Sequence, residues 1–322
     1  VRVEQRGRVV HERAFGTLSS DVFSPACFVD TRFDLASITK VFVATVALDA
    51  VAGGTLALDT PLVDLIPEWR TTPHAPITLR MLLAHDAGFK SGADWRTLLD
   101  RNVEQFALCE PLVAAPDERV VYSDLGFLAL GVILARSAQR GLATAVEEVL
   151  ARCGAAATQY RPRERSAIPA TECDTWRGLV QGTVHDEKAA LAGGAAGHAG
   201  LFGPARDVAA LAEWYLAALH DRPTPLDRAL ARAAVTEQAY DPVLRRGLGW
   251  ALKTSDENSC GTRMSPHTFG HTGFTGTCVW ADPERDCSVT LLTNAVHYGR
   301  TDTRRIRSAV CDAAMDALDR AC

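Results

Sequence analysis

Ser37-Ile38-Thr39-Lys40 opens the run Val41-Phe42-Val43-Ala44-Thr45-Val46-Ala47-Leu48, which is apolar on every face. A helix with no polar face is a buried one, so the stretch predicts a central helix that starts near residue 37 with one hydroxyl and one amine inside the protein. Positions three apart share a helix face, which puts the Lys40 amine within reach of the Ser37 hydroxyl. Serine is a weak nucleophile until a base takes its proton, and an ammonium becomes such a base when burial and a helix N-terminus lower its pKa. The chain has only four lysines (40, 90, 188 and 253) against thirty arginines, and arginine cannot shed its charge. Chance yields about 0.16 Ser-x-x-Lys matches for this composition. A capping serine followed by a solvated lysine has the same spacing, so the motif alone leaves both readings open.

Outward from this helix, the two ends of the chain read as sheet and the middle as helix. Residues 1–15 alternate around Gly7, and 247–252, 276–281 and 287–294 are enriched in β-branched and aromatic residues. Asp282-Pro283-Glu284-Arg285-Asp286 suits a hairpin turn between the last two. Helical spacing covers 41–51, 77–84, 125–138, 142–152, 206–219 and 227–237, with a further helix start at Thr60-Pro61 and a closing helix over 303–320. An antiparallel sheet assembled from both termini and flanked by helices, with a mostly helical insertion, follows as the expected α/β (α+β) architecture. Its expected divisions are 1–35 with 240–322 for the sheet part and 36–239 for the helical part, and a cleft at their boundary is the natural ligand site.

Two further segments carry polar groups toward that boundary. Tyr122-Ser123-Asp124 precedes the helix from Leu125, where Ser123 or Asp124 serves as an N-cap and Tyr122 offers a phenol for proton relay near an ammonium. His271-Thr272-Gly273-Phe274 leads into a strand over 275–281, where the glycine lets a substrate backbone lie close. Lys253-Thr254-Ser255 reads as a surface turn. His198, in Gly197-His198-Ala199-Gly200, and Ser123 are candidate cleft-lining groups. His185, beside Asp186 and Glu187, lies thirteen residues from His198, which is not a metal-ligand spacing, so no metal is expected. His85 reads as a structural cap, and His297 is placed near the cleft rim without a decided role.

The 322 residues carry a net charge of -5 with no clustered basic field, which excludes a nucleic-acid partner and leaves a small molecule or peptide as the expected one. No apolar run approaches the roughly 20 residues of a membrane span. Nine cysteines (27, 109, 153, 173, 260, 278, 287, 311 and 322) show no paired or metal-binding pattern. Their odd count mildly favours a reducing, cytoplasmic setting and leaves a secreted or periplasmic one open. No cofactor is expected.

The three motifs, in this order and at these separations, resemble the penicillin-recognising serine hydrolases of the class C β-lactamase and D-alanyl-D-alanine carboxypeptidase group. The likeness extends through 33–40, 77–88, 122–135, 193–207 and 270–294, so nearly the whole chain is covered. It implies a β-lactamase-like fold with the nucleophile between its two parts. It also implies roles: Ser37 attacks, Lys40 and Tyr122 move protons, His271-Thr272 fix a substrate carboxylate, the N–H groups of Ser37 and Phe274 hold the oxyanion, and Asp124 and Gly273 complete the substrate-binding set. A D-alanyl peptide, a β-lactam or a short-chain ester is the implied substrate. A protein that acylates without efficient turnover and a carboxylesterase of the same fold are the alternatives. Two positions depart from the group. Histidine stands at 271 where lysine is usual among its β-lactamases, and an imidazolium there would tie anion affinity to pH near 6.5. Asp124 replaces the commoner asparagine and adds a charge that raises the Lys40 pKa. The helix that usually precedes the first strand is not evident, which predicts a longer natural chain.

Overall fold

Arg2–Gln5 (β1) folds back through Arg6 and Gly7 into Arg8–Glu12 (β2), the hairpin expected of the N-terminal alternation. The computed structural model describes residues 1–321; Cys322 lies outside them. After Phe33–Asp34 (β3) the chain makes a 3-10 turn, Ala36–Ile38, and enters Thr39–Ala52 (α1), in which every residue from Thr39 to Leu48 is buried. The helical stretch continues with Leu79–Ala84 (α2), Val103–Cys109 (α3), Asp124–Ala138 (α4) and Leu142–Arg152 (α5). Three short strands follow, Gln159–Tyr160 (β4), Glu172–Asp174 (β5) and Gly178–Val180 (β6). Then come Glu187–Leu191 (α6), Leu201–Gly203 (β7), Ala205–Leu219 (α7) and Arg228–Ala234 (α8). The chain returns to sheet in Arg245–Arg246 (β8), Ala251–Leu252 (β9), Phe269–Thr272 (β10), Cys278–Asp282 (β11) and Cys287–Leu291 (β12), and closes with Arg304–Ala321 (α9).

Seven strands form one antiparallel sheet in the order β2-β1-β12-β11-β10-β9-β8, so strands from the two ends of the chain lie side by side. Val289 of β12 stands opposite Val3 of β1 and Trp280 of β11. Successive side chains on a strand point to opposite faces, and β11 uses both: Val279 and Ala281 join the core that contains α1, α4 and α7, whereas Cys278 and Trp280 join Cys311 and Met315 of α9. The sheet is therefore covered on both sides. One cover, α7, comes from within the 36–239 stretch and packs on β1, β11 and β12, so that stretch also supplies a layer of the sheet half. No helix among the described residues is long and apolar enough to cross a membrane.

Several local expectations are corrected. The run over 247–252 is a turn followed by the two-residue strand β9, with Gly247 N–H donating to Trp250 O (2.9 Å). Gly249 sits at φ +81° against α1, where a Cβ would meet that of Ala44 at 2.3 Å. The strand expected over 275–281 begins at Cys278, because Gly273 to Gly276 form a turn (Gly276 N–H to Gly273 O, 3.1 Å) and His271 belongs to the preceding strand β10. Thr60-Pro61 starts only a single 3-10 turn at Leu62–Asp64. Lys253 is buried rather than at a surface turn, and its Nζ donates to Met264 O (2.7 Å).

The β10–β11 turn is stitched to the segment ahead of α1. Thr275 Oγ1 donates to Asp34 O (2.9 Å), while Arg307 of α9 donates through Nη2 to Gly273 O (2.5 Å) and through Nε to Gly276 O (3.1 Å). Gly273 serves this contact and not only a substrate: a Cβ there would lie 2.2 Å from Thr277 Oγ1 and 2.6 Å from Leu35 O. Gly273→Ala must push the two segments apart. It is expected to destabilise the fold by about 1–3 kcal/mol, read as a lower urea midpoint; an unchanged midpoint would contradict the close contact.

Candidate active site

Ser37 is presented by a bent turn. Ala36 adopts φ +46°, a left-handed conformation that costs an alanine about 1–2 kcal/mol. Asp34 holds it there, accepting from Ala36 N–H through Oδ1 (2.8 Å) and from His185 N–H through Oδ2 (2.6 Å). Burial pushes the Asp34 carboxyl up to about 6 against those two donors, which favour its charged form. The 3-10 turn then delivers Ser37 to the head of α1. Its N–H and that of Phe274 across the β10–β11 turn have no partner among the backbone hydrogen bonds of loops and turns, as donors left for a developing oxyanion would.

Lys40 lies one turn on and is wholly buried. Its Nζ is 2.8 Å from Asp124 Oδ1, 3.0 Å from Ser37 Oγ and 3.2 Å from His198 O. The three hydrogens of an ammonium thus have three acceptors. A neutral amine fits the same place by keeping Asp124 and His198 as acceptors and turning its lone pair to the Ser37 hydroxyl. Burial disfavours the charge, but the nearby Asp124 and Tyr122 outweigh it and hold Lys40 above its ordinary value. Asp124 itself is held below the usual carboxylate range: burial opposes its charge, and Lys40, His198 and Lys188 together more than offset that.

The cleft outside Ser37 has a volume of about 510 Å³ and is lined by Tyr122, Arg246, His271, Thr272, Gly273 and Phe274 among others. The Tyr122 ring lies 4.9 Å from Lys40 Nζ and 5.0 Å from the Arg246 guanidinium carbon. His271 differs from the expected imidazolium. Its Nδ1 is 2.8 Å from Thr272 O, so Nδ1 carries the hydrogen and Nε2 is left as an acceptor, buried and without a partner. Burial, with Lys40 and Arg246 nearby, pushes its pKa down to about 3. The ring is neutral near pH 7 and carries no charge for a carboxylate.

Two candidate lining groups have other places. Ser123 is the N-cap of α4: its Oγ accepts from Gly126 N–H (3.0 Å) and donates to Lys90 O (2.6 Å). His85, ending α2 at φ +63°, accepts from Ser123 N–H through Nδ1 (3.1 Å) and so caps and steadies this segment. His198 is behind Lys40 rather than on the cleft. Its loop comes close to α4 because Gly197 has no side chain; a Cβ there would lie 1.9 Å from Phe127 O. Asp124 also faces inward, with Oδ2 3.3 Å from Lys188 Nζ. Asp124, Asp186 and His198 each offer a ligand atom within 4.8 Å of the others, but the Lys188 ammonium stands 3.1 Å from Asp186 and 3.3 Å from Asp124. His297 contacts Ser20 through Nε2 (3.1 Å).

Residues 1–311 match the family described as Beta-lactamase. The chain belongs to that family. It is 30% identical over 339 residues to a Bacillus subtilis (strain 168) protein named N-acetylmuramyl-L-alanine amidase, covering 92% of this chain and 76% of that one. It is 29% identical over 358 residues to Esterase EstB of Burkholderia gladioli, covering 96% and 89%. Among solved structures, a Beta-Lactamase/D-Alanine Carboxypeptidase from Pseudomonas syringae superposes with a TM-score of 0.78 at 19% identity, covering 98% of this chain and 92% of that one. This beta-lactamase family member is accordingly a serine hydrolase with the antiparallel-sheet and helix fold of its relatives.

Sequence reasoning missed Arg246 and the partnership of Lys188 with Asp186. Arg246 is one of thirty arginines and has no motif; Lys188 stood out only as one of four lysines. The neutral state of His271 has a direct consequence. Binding of a carboxylate product to the Ser37→Ala variant should be constant within about twofold from pH 5 to 8, since a group titrating near 3 does not change charge there. Calorimetric titration checks this, and affinity that fades above pH 6.5 would restore the imidazolium role.

Proposed function

We propose that this chain transfers the acyl group of a small, anionic amide or ester to water through an acyl-enzyme on Ser37. The observation that carries the reading is the 3.0 Å contact between Ser37 Oγ and a wholly buried Lys40 amine at the floor of the cleft. In the reacting complex the neutral amine takes the hydroxyl proton while Oγ bonds to the acyl carbon, and the N–H groups of Ser37 and Phe274 receive the oxyanion. As the tetrahedral species collapses, the bond to the leaving nitrogen or oxygen breaks, and the proton passes from Lys40 to the leaving group by way of Tyr122. Water then repeats the sequence on the ester of Ser37 and frees the acid.

Substrate charge is assigned to Arg246. It is 7% exposed, its Nε has no partner, and it lines the cleft; a buried guanidinium without an acid gains most from a carboxylate brought by a ligand. A D-alanyl peptide, a carboxylate-bearing β-lactam or an ester of a dicarboxylic acid meets that requirement. Asp124 favours a second reading, in which its hold on the Lys40 proton slows deacylation and the protein acylates without efficient turnover.

A fluorophosphonate or a penicillin should label the parent and not Ser37→Ala; equal labelling of both would refute the acyl-enzyme. Steady turnover of a D-Ala-D-Ala peptide, nitrocefin or p-nitrophenyl esters separates the hydrolase from the trapped species. Arg246→Met should raise KM for a carboxylate-bearing substrate about tenfold or more relative to a neutral ester, the loss of a charge-assisted hydrogen bond. An equal effect on both substrates would remove Arg246 from recognition.

A further inference from the structure

Behind the nucleophile lies a closed ring of polar contacts that the proposed reaction does not use in full. Lys40 Nζ contacts Asp124 Oδ1 (2.8 Å), Asp124 Oδ2 contacts Lys188 Nζ (3.3 Å), and Lys188 Nζ contacts Asp186 Oδ2 (3.1 Å). Asp186 Oδ1 contacts His198 Nε2 (2.8 Å), and the carbonyl of His198 returns to Lys40 Nζ (3.2 Å). Asp186 is fixed as the N-cap of α6, accepting from Ala189 N–H (2.8 Å). Lys188 projects from the same turn, its side chain about one-tenth exposed.

We infer that Lys188 is a positioning residue for the Ser37–Lys40 pair, a second cation on Asp124 that lets Lys40 release and take up its proton without leaving a part-buried carboxylate unpaired. This rests on the acyl-enzyme reading above. With Lys40 charged, the two lysines balance Asp124 and Asp186. When Lys40 is neutral, Asp124 still has a counter-ion on its other oxygen. Without Lys188 the same deprotonation would leave two acids facing one another with no lysine between them, and an unpaired buried charge is strongly disfavoured. The Asp124 carboxylate would then hold the Lys40 proton more firmly. Burial and the two lysines together set Asp124: the first opposes its charge, and the cations, with His198, keep it ionised.

Other charges facing Lys40 do not replace this one. Tyr122 stands on the cleft side, His85 follows α2, His271 lies in β10, and Arg246 lies on β8. Both imidazoles are held neutral, chiefly by burial, and Arg246 contacts the Tyr122 ring rather than Asp124.

The test is the pH dependence of kcat/KM for p-nitrophenyl butyrate, with the uncatalysed rate subtracted, in the parent, Lys188→Met, Asp124→Asn and the double variant. Lys188→Met should move the acidic limb up by about one pH unit and lower the rate at pH 7 about tenfold, the scale of one nearby charge. Adding Asp124→Asn should bring the limb back to the parent position or below, because an amide needs no counter-ion. A limb that stays in place in Lys188→Met, or a loss that Asp124→Asn does not relieve, overturns the role, since a lysine that only braces α6 would behave that way. Ser37→Ala run alongside separates the failures: turnover that survives in it overturns the acyl-enzyme and this inference with it. A silent Ser37→Ala with an unmoved Lys188→Met limb overturns the role of Lys188 alone.

Discussion

A single ammonium with no access to water ties the centre of this molecule together. Lys40 Nζ reaches the turn that bears Ser37, the start of α4 through Asp124, and the loop at His198, segments 84 and 158 residues away in the chain. Each bond compensates part of the cost of burying the charge, and loss of one partner would leave several kcal/mol unbalanced. The helical segments therefore cannot drift relative to one another without exposing or stranding that charge. Apolar packing around α1 supplies the bulk of the adhesion, while this group selects the one arrangement in which its three hydrogens are all placed.

Across the cleft the sheet supplies the opposing wall by a different means. The β10–β11 turn, which carries Phe274, is held by Arg307 from α9 and by Thr275 reaching back to Asp34 in the segment ahead of Ser37. The strained Ala36 belongs to the same arrangement. Its left-handed backbone is sustained by the buried Asp34 carboxylate and points the next residue at the cleft. Strain of this kind persists where surrounding bonds over-determine a position.

Electrostatics divide the site into a cleft side and a hidden side. The cleft side has Arg246 and a neutral His271. The hidden side alternates lysine and carboxylate, from Lys40 through Asp124 and Lys188 to Asp186. Aspartate at 124 in place of the commoner asparagine is intelligible once Lys188 is seen against it, because the pair carries no net charge.

The Ser37–Lys40 spacing and its buried helix were legible because helical periodicity is local: an apolar run on every face has only one environment, and a three-residue spacing puts both side chains on one face. The antiparallel sheet drawn from both termini and the Tyr122 turn ahead of α4 could be read for the same reason, from alternation and capping residues within a few positions. Gly273 was read as a gap for substrate, yet its missing Cβ is filled by Leu35 O and Thr277 Oγ1, a contact set by residues 238 positions away as well as by its own turn. Ser123 and His198 turned inward, and Lys188 and Arg246 entered the site, through packing between elements far apart in the chain. What the sequence determined alone was the chemistry available at the head of α1 and the strand and helix periods around it. Only the tertiary structure decided which charges face that head, because a protonation state depends on burial and on neighbours within a few ångströms in space, and the order of residues along the chain does not specify either.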